Sequence, residues 1–162
     1  MFYPHEFYDT VLKSDRGIFL RINDLLWTAY EKRRAFSKRS QMKVECHTIC
    51  RALCLEITDG SIRYVDGNYV SVVLGDEGGL IHRCPHSWLV TESGSIIDPY
   101  PLGRIALSPV LIATTGIYAP YAAQHYCPDP EIRAGLDLRD IWHRARILQR
   151  YFKSSTTDPG PV

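Results

Sequence analysis

A chain of 162 residues, 45% hydrophobic and 23% charged, has the size of one domain and can bury a core without disulfide or metal staples. Its 19 Lys and Arg against 18 Asp and Glu leave a formal net charge of +1, which gives no general attraction to nucleic acid or to an anionic lipid surface. No apolar run reaches membrane-spanning length, the start MFYPHEFYDT lacks a basic-then-apolar leader, and three of the five cysteines fall within nine residues. Reduced thiols and a cytoplasmic location are therefore expected, export by a specialised route aside.

From Ser14 or Asp15, SDRGIFLRINDLLWTAYEKRRAF sets Ile18, Ile22, Leu25, Leu26 and Ala29 at helical spacing. It ends in the basic cluster Lys32, Arg33, Arg34, Lys38 and Arg39. Cations are favourable at a helix C-terminus, so the cluster reads as a solvated helix end, and nucleic acid is not expected as a partner. VECHTICRALCLEI predicts a second helix, stopped by TDGS. SIRYV, the turn DGN and YVSVVL predict a β-hairpin, and GDEGG a loop. HSWLV and SIID predict a second antiparallel pair, while SPVLIATTGIYAPY stays open between strand and loop. LDLRDIWHRARILQRYF carries Leu138, Ile141, Ala145, Leu148 and Phe152 at helical spacing and predicts a closing amphipathic helix. The final SSTTDPGPV is expected to be disordered, which leaves residues 1–153 as a single domain and 154–162 as a tail. Helices, then antiparallel strands, then a helix is an α+β pattern.

The segment HSWLVTESGSIID carries the first chemical signal. A hairpin turn near Glu92 or Ser93 puts His86 and Asp98 opposite each other, or one pair off on the same face, within reach of one another. A carboxylate that orients an imidazole implies a third member, a nucleophile on the other ring nitrogen. Cys46 is the candidate. It opens the second helix, where unpaired N–H groups and the helix dipole favour a thiolate and can bind a developing oxyanion. Cys50 and Cys54 lie deeper in the helix and read as small core hydrophobes.

A metal is the competing assignment. Cys46, His47 and Cys50, then His82, Cys84 and His86, are two groups of soft ligands. Their spacing is poor for zinc: a C-x3-C pair on a helix and alternate residues along an extended strand. No metal and no other cofactor is therefore expected. His47 is expected at the surface beside the nucleophile, where it can touch substrate. Trp88 shares the face of His86 and is expected to shield the His–Asp pair more than to bind substrate.

ECHTICRALCLEITDGSIRYVDGNYV followed by HSWLVTESGSIIDPYP resembles the core of the transglutaminase-like branch of the papain-like cysteine enzymes. The specific parts are RYVDGNYV and HSW…IIDP, and the resemblance spans roughly residues 44 to 101. It implies a papain-like core with N-terminal helices packed on an antiparallel sheet. Cys46 would be the nucleophile, His86 the general base and then acid, and Asp98 the orienting carboxylate. Gln41, the nearest glutamine before the cysteine, would be the second oxyanion donor, or else an exposed linker residue. Where family members often carry Gly and an aromatic beside the cysteine, this chain has Glu45 and His47.

The expected activity is attack of the Cys46 thiolate on a peptide or carboxamide carbonyl of a protein or peptide. The resulting thioester passes to water, as in a peptidase or deamidase, or to an amine, as in a transglutaminase. Small size favours the hydrolytic outcomes. The alternative is a zinc-stabilised or catalytically vestigial protein-binding module on the same scaffold.

Overall fold

A computed structural model describes residues 13–32, 45–75, 78–100, 110–112 and 119–153. Gln41, the basic residues beyond Lys32 and the tail from residue 154 lie outside the described residues.

The helical periodicities are realised. Helix α1, Lys13–Trp27, continues into a wider π-helical turn, Thr28–Lys32. Its Phe19, Ile22, Leu26 and Ala29 are buried, with Ile18 and Leu25 packed beside them. Helix α2, Cys46–Glu56, buries every residue from Cys46 to Leu53. A helix that is apolar or paired all round belongs in the middle of a domain.

The sheet departs from expectation at DGN. Strand β1 runs unbroken over Ile62–Gly75 and pairs antiparallel with β2, Gly78–Thr91, from Ile62↔Thr91 to Gly75↔Gly78. The chain therefore reverses inside GDEGG, and Asp66-Gly67-Asn68 is strand. Tertiary partners override the local turn signal. Asp66 is buried against Arg51, Asn68 donates to Asp129 at 3.0 Å, and Gly67 takes a crowded centre position. A Cβ on Gly67 would lie 2.3 Å from the Cys127 carbonyl oxygen and 2.6 Å from the Trp88 ring, so only glycine lets the three strands close.

Strands β3, Ile96–Asp98, and β4, Val110–Ile112, extend the sheet on one side. A short helix α3, Ala119–His125, leads into β5, Tyr126–Pro128, which pairs with β1. The five strands run in the order β4-β3-β2-β1-β5. The apolar stretch around residue 110 thus holds a strand, and β5 is an element without a periodic signal in the sequence. A 3-10 turn, Pro130–Gly135, connects to the closing helix α4, Leu138–Phe152, which is capped by the Asp137 carboxylate and buries Ile141, Ala145, Leu148 and Phe152.

The two sheet faces have different contents. One carries Ile62, Leu89 and Ile97 into a core with α1, α2 and α4. The other carries Trp88, Ile96 and Tyr126, covered in part by Ala122 of α3. The architecture is α+β with an antiparallel sheet, and α2 lies against β1 and β2.

Candidate active site

Asp98 and His86 meet because the β2–β3 turn is fixed from outside. Gly94 takes φ +90°, a left-handed turn conformation suited to glycine. The Ser93 and Ser95 hydroxyls both donate to buried Asp15 of α1, at 2.6 and 2.7 Å. The register Leu89↔Ile97 and Val90↔Ile96 sets Asp98 level with Trp88, one pair from His86 on the same face. His86 Nε2 then lies 2.8 Å from Asp98 Oδ2. The same Oδ2 accepts from the Tyr126 hydroxyl at 2.8 Å, and Oδ1 accepts from the Tyr100 backbone N–H at 2.9 Å. Asp98 is fully buried and His86 nearly so.

With Nε2 committed to Asp98, the free ring nitrogen of His86 is Nδ1. The Cys46 thiol is close enough to the rings of both His86 and His47 for each to act on its ionisation. Burial pushes that thiol up, but His47 and then His86 outweigh it and bring its pKa down from 9.0 to about 6. Burial works against a charged His86, yet Asp98 and Cys46 raise it from 6.5 to about 10. Between about pH 6 and about pH 10 the two groups form a thiolate–imidazolium pair. The other helix cysteines behave oppositely. Burial drives Cys50 well above its ordinary value and Cys54 to about 11. Cys50 is a core residue whose thiol donates to the Ser87 carbonyl at 3.3 Å.

Cys46 opens the first turn of α2. Glu45 caps it with extended backbone and no side-chain bond to the helix. Its carboxylate turns away to Arg144 of α4, at 3.2 Å.

His47 is buried at 6% exposure, which corrects the expectation of a surface histidine open to substrate. Its Nδ1 lies 2.6 Å from Ser87 Oγ, and Ser87 Oγ donates to Asp66 Oδ1 at 2.5 Å. Arg51 grips Asp66 with two bonds, 3.1 and 2.8 Å, and Arg133 Nε adds a third at 2.6 Å. Burial opposes the charge of Asp66, but the bonds from Arg51, Ser87 and Arg133 hold its carboxyl below the usual range. The Arg51 guanidinium also lies 4.3 Å from the Tyr64 ring centre. Trp88 is 1% exposed and stacks near His86 at 6.3 Å, shielding the His–Asp pair from water.

Asp66, Ser87, Arg51 and Tyr126 escaped the sequence reading. For the first there was a signal: Ile62, Tyr64 and Asp66 alternate on one strand face, so Asp66 occupies a core position that demands a partner. Tyr126 had none, since QHYCPDP has no periodicity.

Among the described residues no group of three or more His, Cys, Asp or Glu is arranged to hold a metal ion, and no helix is long and apolar enough to cross a membrane. His82 and Cys84, members of the competing ligand set, are exposed on β2. No protein-family model, no curated protein and no solved structure matches the chain.

Proposed function

We propose that the protein is a cysteine-dependent acyl-transfer enzyme of papain-like, transglutaminase-like type, acting on a peptide or carboxamide bond of a protein or peptide. One observation carries the reading: His86, which acts on the ionisation of Cys46 at the start of a helix, has Nε2 held 2.8 Å from buried Asp98. In this reading the Cys46 thiolate attacks the carbonyl carbon, and the backbone N–H groups of the first turn of α2 donate to the developing oxyanion. His86 gives its proton to the departing nitrogen as the C–N bond breaks, leaving a thioester. Neutral His86 then takes a proton from water or an amine, which attacks the thioester and releases Cys46. Asp98 keeps the ring oriented and stabilises its charged form throughout.

Acyl trapping tests it. The protein is mixed with glutamine-containing peptides, quenched in acid and weighed intact. The expected product is a peptide thioester on Cys46 that hydroxylamine removes, absent from Cys46→Ser and His86→Ala. Peptides that gain one mass unit mark deamidation, shortened peptides mark proteolysis, and added amine diverts both if transfer occurs. No Cys46 adduct and no altered peptide across a broad peptide set would contradict the proposal.

A further inference from the structure

Beyond His86 the sheet carries a row of rings that the proposed chemistry leaves unused. Tyr69 of β1 packs T-shaped on His86, ring centres 6.0 Å apart, and on Tyr126 at 5.2 Å. It also stacks on His125 of α3, at 5.7 Å and 20° between planes. Tyr121, one turn earlier on α3, lies 4.3 Å from the His125 ring, and its hydroxyl is 3.3 Å from that of Tyr69. Backbone fixes the middle ring. Val70 follows the last β1 residue paired with β5, and its carbonyl can only accept, so His125 Nδ1 donates to it at 2.6 Å. The row reaches solvent. Tyr121 is 45% exposed, and Cys84, which pairs with Tyr69 and shares its sheet face, is exposed too.

We propose that Tyr69 and Tyr121 form a subsite for an aromatic side chain of the substrate, on the nitrogen side of the bond under attack. The inference rests on the reading of Cys46 as the nucleophile and deepens it. The side follows from His86. That imidazole hands its proton to the departing nitrogen, so the substrate atoms beside it, and hence beside Tyr69, are those beyond the nitrogen. The class follows from the surface. Neutral rings packed in a row, with hydroxyls at the rim, gain most from stacking or edge contact with another ring. Such rings also attract cations, but a positive His86 with its ring centre 6.0 Å from that of Tyr69 opposes one here.

The test uses N-benzyl, N-cyclohexylmethyl and N-methyl iodoacetamide, which carry their substituent on the amide nitrogen. Rates at Cys46 are read by peptide mapping near neutral pH, and each is divided by the reagent's rate with glutathione. The wild type should prefer the benzyl over the methyl reagent by roughly 2- to 12-fold, and over the cyclohexylmethyl reagent as well. In Tyr121→Ala the benzyl-to-methyl ratio should fall to unity, while Tyr121→Phe, which keeps the ring, should retain most of it. Taking the ratio within each variant cancels any change in the thiol itself. Tyr121 is exposed, so its loss leaves the core intact, and circular dichroism verifies the fold. A wild-type ratio of unity at a fast-reacting Cys46 overturns the subsite and leaves the nucleophile standing. So does a ratio that survives in folded Tyr121→Ala, a cyclohexylmethyl reagent as fast as the benzyl one, or an equal loss in Tyr121→Ala and Tyr121→Phe. A Cys46 no faster than Cys84 towards every reagent overturns the nucleophile and the subsite together.

Discussion

The chain behind His86 and the chain behind His47 both end in a buried carboxylate, but Asp98 and Asp66 are charged against different partners. Among the described residues Asp98 accepts from a tyrosine hydroxyl, a backbone N–H and His86 itself, so the His86 imidazolium is its counter-ion. Asp66 already has two guanidiniums, one fully buried. Its charge is used where it sits, and what reaches His47 is orientation passed through a hydroxyl. The same residue type therefore does electrostatic work in one chain and positional work in the other.

Breaking the Asp66 anchor should have the largest effect on folding. Asp66→Asn leaves Arg51 buried without its counter-charge, at a cost of about 3–5 kcal/mol in urea unfolding. Because Asp66 titrates below its unfolded value, its stabilising contribution is complete above the ordinary carboxylate range and is lost as pH falls through the lowered value. The gap between wild type and variant should accordingly narrow in acid. In folded protein the Cys46 curve should move little, since an amide oxygen still accepts from Ser87.

Asp98→Asn should do the opposite. The fold should persist while the midpoint of Cys46 alkylation rises by about 1–2 pH units, because an amide cannot stabilise the imidazolium. At pH 6 that is a rate loss of roughly 5- to 50-fold. A curve that moved for Asp66→Asn and stayed still for Asp98→Asn would reverse the comparison.

Gly67→Ala examines the scaffold between the two chains, since Gly67 lies opposite His86 and next to Asp66. Its new methyl would collide with Cys127 and Trp88, for a loss of about 1–3 kcal/mol in denaturant unfolding. Tyr126→Phe should be mildest, about 1 kcal/mol, with only a few-fold slower alkylation at pH 6.

What the sequence disclosed follows the range of the forces involved. Helices α1, α2 and α4 are written in periodic apolar residues, and the His86–Asp98 pairing follows from one short turn. Each is a local pattern. DGN misled because a turn signal is also local, whereas the Asp66–Arg51 pair that overrides it joins a strand to a helix 15 residues earlier. His47 was misplaced for the same reason: an exposed histidine is the default beside a nucleophile, and its burial depends on Ser87, 40 residues away. Tyr126 reaches Asp98 because β5 pairs with β1, a pairing that no spacing in the chain announces.

The ionised thiol is the central claim, and the wild-type alkylation profile tests it most directly. Iodoacetamide rates at each cysteine, mapped from pH 4 to 10, should show Cys46 rising to a plateau with a midpoint at about 6. Cys50 and Cys54, raised by burial, should stay unreactive through neutral pH. A Cys46 rate that climbs only around pH 8.5, in step with exposed Cys84, would contradict the thiolate–imidazolium pair and the activity built on it.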